Sequence, residues 1–267
     1  MSDLKTNYSR IINKEISADD FEEYYSALKI VNAFNSKYKD ADRWCEDLYN
    51  DLCEVFYKDK VKKPIKKYNV WTIMHGDFRL GADYIGPPTF WGYKAGLNGK
   101  EIYEFLGETR KLGGHMLWPR NGQGSDSINT ARGGKKGYYD RIDLTLWALR
   151  EWYSGNKSIR LCNAFNKSRD WFNSFEVDSD TKDKFKCFVD FFLLNDFVDE
   201  SNELYDLTSF NDINSSFSKR ISSKEETSPS IPNEYCSYSN YVKGNLFCIK
   251  ERNRRMIKKN FLEKALR

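Results

Sequence analysis

The sequence predicts an α+β fold, mainly helical, with a small central β-sheet drawn from about residues 68–120. Three observations predict it. Apolar residues recur at helical spacing on both flanks of the chain. Fourteen of the 16 glycines fall between Gly76 and Gly137, with only Gly155 and Gly244 outside. Residues 68–74, YNVWTIM, are rich in β-branched and aromatic side chains, the composition of a strand.

The elements follow in order. Ser17 and Asp20 resemble a capping box, and Phe21, Tyr24, Leu28, Val31 and Phe34 continue at helical spacing. A second helix is expected over 40–57, with Trp44, Leu48, Leu52, Val55 and Phe56 inward. Lysine-rich residues 59–67 connect it to the first strand, with Pro64 as a breaker. Residues 75–96 read as short extended pieces and turns. A modest helix over 100–112 stops at Gly113 and Gly114. Residues 115–118 form a brief strand ended by Pro119, and 121–136 read as loop. The helix over 138–153 is apolar on most of its circumference, so it is expected to be the buried spine of the core. Further helices are expected over 159–175, over 181–198 and from 233 to the end. Residues 199–232, rich in Ser, Asn, Asp and Glu, read as a long exposed connection pegged by Leu204, Tyr205 and Phe210.

A chain of 267 residues suffices for one large domain or two small ones. The division expected is a helical N-terminal region over 1–60, open to being part of the same domain, and a main α+β domain over 68–267. Hydrophobic and charged contents of 40% and 31% are those of a soluble globular protein. The most apolar run, 185–198, is interrupted by Lys186, Asp190, Asn195 and Asp196 and is too short to span a membrane. The N-terminus lacks the apolar region of a signal peptide, so the expected location is the cytoplasm, with no membrane partner. The six cysteines form no CxxC pair, which argues for reduced thiols and against zinc.

The candidate chemistry gathers around the glycine-rich zone. In ARGGKKGYYDRID, glycines free backbone N–H groups to converge, and a helix N-terminus adds its own unpaired N–H groups. Arg132, Lys135 and Lys136 add charge, so this junction is a candidate phosphate site. The bland alternative makes Asp140 the N-cap of the helix, with Asp143 in its first turn. A second constellation is His75, Asp77, Arg79 and Asp83, directly after the first strand. His75 or His115 could act as a general base, although a lone histidine is more often structural. Asp77, Asp83, Asp140 and Asp143 could supply acid–base groups or hold a magnesium ion, provided they converge. Nine Lys/Arg among residues 241–267, against Glu251 and Glu263, give a basic terminal helix on a mildly acidic body. Its cations either track a nucleic-acid backbone or pair with the acidic body, and pairing is the favoured reading.

Several pieces together resemble an uncharacterised bacterial family of unknown function: DFRLGAD (77–83), GGHMLWPR (113–120), SINTARG (127–133), YDRIDLTLWALREWY (139–153), KCFVDFFLLNDFV (186–198) and KERNRRM (250–256). The resemblance covers about the second two-thirds of the chain. It implies a coherent unit over about 68–260 and assigns no activity. It also implies that Arg79, Asp83, Arg120, Asn129, Arg132, Asp140, Arg141 and Asp143 belong to one pattern. The chain departs from that pattern in carrying His75 and His115.

Three functions are then in play. The first is recognition of, or action on, a phosphate-bearing ligand, nucleic acid or nucleotide, as in a nuclease, toxin or phage-defence effector. Arg79, Arg120, Asn129, Arg132, Lys135 and Arg141 would grip phosphate, and Asp77, Asp83, Asp140 and Asp143 would be catalytic. The second is a non-catalytic binding protein. The third is a buried Arg/Asp network whose role is structural.

Overall fold

The computed structural model describes residues 46–57, 72–74, 96–109, 111–119, 128–132, 141–175, 183–222 and 235–258. The expected helix over 17–34, the connection over 59–67 and nearly all of the turn-rich stretch over 75–96 lie outside these residues. The fold is α+β and mainly helical.

Helix α1 (Glu46–Tyr57) leads to strand β1 (Thr72–Met74), and helix α2 (Gly99–Thr109) leads through a tight turn to strand β2 (Met116–Trp118). The strands pair antiparallel, Thr72 opposite Trp118 and Met74 opposite Met116. So the expected sheet exists, made from the two ends of its window. All three β2 residues are buried, because the strand is covered on both faces. Trp118 stacks on Phe188, with ring centroids 6.1 Å apart.

Between α2 and β2, Leu112–Gly114 forms a 3-10 turn rather than the end of the helix. A Cβ on Gly114 would lie 2.3 Å from Thr109 O, a backbone atom with no room to yield. Gly114→Ala is therefore expected to cost about 1–3 kcal/mol, as overpacking does. The check is the urea unfolding midpoint; an unchanged midpoint would show that the turn can move aside.

The expected loop over 121–136 contains a short helix, α3 (Ile128–Arg132). Five residues with one buried apolar anchor, Ile128, carry too little periodicity to announce a helix. Helix α4 (Ile142–Tyr153) is the spine: every residue from Ile142 to Leu149 is buried. It starts later than expected, with Arg141 rather than Asp140 at the cap position.

The expected helix over 159–175 is two, α5 (Cys162–Lys167) and α6 (Arg169–Asn173), broken at Ser168. Phe165 and Trp171 lie six residues apart, off helical spacing, and only a break turns both inward; both are buried. Helix α7 (Lys184–Phe191) also ends early. Leu193 takes φ 58°, Leu194 N–H donates to Val189 O and Leu193 N–H to Asp190 O, which is the Schellman pattern. A leucine stands where glycine usually stops a helix, and burial of Leu193 and Leu194 offsets the strain. Around this corner Trp171, Phe172, Phe175, Phe188, Phe191 and Phe192 form one cluster, with Trp171 and Phe175 centroids 4.7 Å apart. Phe56 of α1 joins it, so α1 packs into the same core.

Residues 199–222 are folded, not an exposed connection. Leu204, Leu207, Phe210 and Ile221 are buried. Strands β3 (Phe210–Asn211) and β4 (Ser216–Phe217) make a hairpin. Several of the segment's polar side chains bind local backbone. Asp199 accepts from Ser201 and Glu203 N–H, Asn211 from Ile213 N–H, and Ser209 Oγ from Lys219 N–H. Helix α8 (Tyr235–Lys258) closes the fold. Gly244 lets it approach closely, since a Cβ there would stand 3.0 Å from Leu207 O. No helix among the described residues is long and apolar enough to cross a membrane.

Candidate functional site

Of the residues singled out by sequence, Arg132, Arg141 and Asp143 come together. They lie in the core at the start of α4, with Asp143 and Arg132 fully buried. Arg141 Nε and Nη2 donate to the two oxygens of Asp143, at 3.0 and 2.5 Å. Arg141 Nη2 also reaches Asp206 Oδ1 at 3.3 Å. Asp143 accepts two further bonds, from Leu144 N–H at 2.9 Å and Leu207 N–H at 3.2 Å. Asp143 thus stands in for the side chain missing at the cap, satisfying one free N–H of the helix start.

Asp206 in turn caps the 3-10 turn Leu207–Ser209 through Thr208 N–H and Thr208 Oγ. Arg132 Nε donates to Thr145 Oγ1, which donates to Arg141 O. Arg141 lies over the Tyr241 ring of α8, 5.2 Å from its centroid. Burial opposes the Arg141 charge, and Asp143 more than offsets it, so the pKa is raised. Burial, and after it the Asp143 charge, raises the Tyr241 phenol. The network ties α4, α8 and the 199–222 segment together.

Asn129 lies on α3. Asp77, Arg79, Asp83, Arg120, Lys135, Lys136, Asp140 and His75 lie outside the described residues. His115 is buried, and its Nδ1–H donates to Lys111 O at 2.7 Å, which gives it a structural partner. Among the described residues no group of three or more His, Cys, Asp or Glu could hold a metal ion.

Most of the described cations of the terminal helix bind the body of the fold. Arg255 makes a two-pronged pair with Asp196 at 2.6 and 2.9 Å. Lys243 bridges Glu101 and Asp212, Lys250 pairs with Glu104, and Arg254 with Glu251. Arg252 is buried and binds backbone carbonyls. Its Nε donates to Phe192 O, and its Nη1 to Gly113 O and His115 O. Burial pulls its pKa down to about 9, so it remains charged at neutral pH. Asn253 accepts from Gly113 N–H and donates to Glu108.

An open groove of about 240 Å³ lies elsewhere, between the end of α4 and helices α5, α6 and α7. Lys157, Arg169 and Lys184 line it together with Trp152, Asn166 and Asn173. Trp152 Nε1 and Arg169 Nη2 both donate to Asn166 Oδ1 at 3.0 Å. Lys184 Nζ reaches Asn173 Oδ1 at 3.5 Å. The expectations placed no ligand here. The available signal was a run from Lys157 to Arg169 holding four cations and no acid.

Comparison with curated proteins and with solved structures found no match. One family model does match, over residues 29–256, which takes in every described element up to the last turn of α8; the chain belongs to DUF6994, a family of unknown function.

Proposed function

We propose that the protein recognises a phosphate-bearing ligand, nucleotide or nucleic acid, and that its Arg/Asp set holds the fold rather than the ligand. The observation that carries this is the groove between α4 and α5–α7, whose lining is cationic, amide and aromatic. Such a lining matches an anion, because Arg and Lys supply charge and Asn supplies directed donors.

The four bonds accepted by Asp143 support the structural half of the reading. They occupy all of its roughly four lone-pair sites, leaving none for a substrate or a magnesium ion. The proposed setting is the cytoplasm, where such ligands occur, and a toxin or defence role would be one use of the same recognition.

The test is equilibrium binding by the full-length protein of nucleoside monophosphates and of a single-stranded oligonucleotide, at low and moderate salt, with products assayed after long incubation. Binding without turnover, weakened by salt, is expected. No binding of any phosphate-bearing probe would overturn the reading.

A further inference from the structure

The groove has a feature that narrows the ligand further. Arg169 is exposed, and its guanidinium is tethered by one hydrogen bond from Nη2 to Asn166 Oδ1. Asn166 is itself held: it accepts from Trp152 Nε1, and its Nδ2 contacts Cys162 Sγ at 3.4 Å. One N–H of the five on Arg169 is thereby used. The others meet no carboxylate among the described residues. A guanidinium anchored at one corner loses little freedom when its remaining N–H groups grip a phosphate in two-pronged fashion.

Trp152 forms the adjoining wall. Its ring is held against Tyr153, Phe165 and Phe172, with centroids 5.1, 5.9 and 5.6 Å away, and it remains half-buried at the groove. The site therefore sets a packed aromatic side chain beside an exposed guanidinium tethered at one corner. A face of this kind accepts a nucleobase by stacking.

The choice between monomer and polymer rests on extent. A polymer needs cations spaced along a track. The five described cations of α8 from Lys243 to Arg255 already hold protein partners. Away from that helix, Lys157 and Arg169 line a single volume of about 240 Å³, with Lys184 at its edge beside Asn173. That space suits one terminal phosphate with its sugar, the base lying toward the mouth.

We infer that this groove binds a nucleoside monophosphate through its terminal phosphate, with Arg169 and Lys157 on the phosphate and Trp152 against the base. The inference rests on the phosphate-recognition reading above and assigns it a place and a ligand class.

The experiment is calorimetric titration of the full-length protein with AMP, adenosine, inorganic phosphate and a short oligothymidylate bearing hydroxyl at both ends. The wild type is compared with Arg169→Ala and Lys157→Ala, whose side chains lie at the surface and whose folding is verified by circular dichroism. AMP is expected to bind, adenosine to bind at least about tenfold more weakly, and inorganic phosphate to compete. Arg169→Ala is expected to weaken AMP by about ten- to a hundredfold, the loss typical of a charged hydrogen-bonded contact. AMP binding that survives both substitutions would overturn the assignment to this groove while leaving phosphate recognition standing. Tighter binding of the oligothymidylate than of AMP would overturn the monomer choice. Failure of every probe would remove both readings together.

Discussion

Replacing Asp143 by Ala is expected to lower the stability of the protein by about 3–5 kcal/mol, the cost of breaking a buried ion pair from one side. The reason is what stays behind. Of its bonds to carboxylates the Arg141 guanidinium would keep only the longer one to Asp206, at 3.3 Å, in a site where Arg141 is only 8% exposed. Leu144 and Leu207 N–H would each lose an acceptor as well. Domains of this kind have about 5–15 kcal/mol in total, so this one change removes a large share. Equilibrium urea denaturation measures it. A midpoint within error of the wild type would show that Asp143 does not hold the network. The double substitution Arg141→Met with Asp143→Leu separates structure from chemistry. If the pair only holds the fold, the apolar pair recovers much of the loss and the AMP titration is unchanged.

The second large effect is expected at Arg252. Arg252→Met keeps the aliphatic stem and removes the donors that serve Phe192 O, Gly113 O and His115 O. Unmet buried acceptors cost about 1–3 kcal/mol each, and partial rearrangement brings the expected total to about 3–5 kcal/mol. Arg252→Lys should recover only part of it, because an ammonium is a point donor and cannot span carbonyls on two separate segments. Urea denaturation gives the magnitude. Hydrogen exchange gives the place: amides of residues 111–118 should exchange faster in the variant than in the wild type, ahead of global unfolding. Equal exchange there would mean that the clamp is not what orders that segment.

Much of the fold was legible because its signals are local. The apolar circumference of α4 marks it as core without knowledge of what surrounds it, and residues 142–149 are all buried. The strand composition of 68–74 and the Pro119 stop located β1 and β2. What was not legible depended on partners far away or on atypical residues. Leu193 ends α7 in a conformation that sequence assigns to glycine. The segment 199–222 has the composition of a linker, yet its Asp, Asn and Ser side chains cap its own turns. At the candidate site, the charges of Arg141 and Asp143 were visible beside a glycine-rich loop, which suggested ligand chemistry. The second carboxylate that completes the network is Asp206, 65 residues away, and no spacing rule connects it to them. The groove cations were missed for the opposite reason. They sit on ordinary helical and connecting residues, two of them directly beside an acid in sequence (Asp170 and Asp183), so little local sets them apart.

The reach of α8 back into the first half of the chain has a consequence for biosynthesis. Arg252 and Asn253 bind Gly113 across 139 and 140 residues of sequence. Tyr241 lies against Arg141, and Gly244 against the turn at Leu207. These contacts cannot form while α8 is still inside the ribosome, so the polar groups at Gly113, His115 and Phe192 wait for that helix to emerge before they find their donor. Early helices can form as they emerge, but the segments they leave open close only once α8 is out, and a chain truncated before Arg252 lacks the donor that serves Gly113, His115 and Phe192.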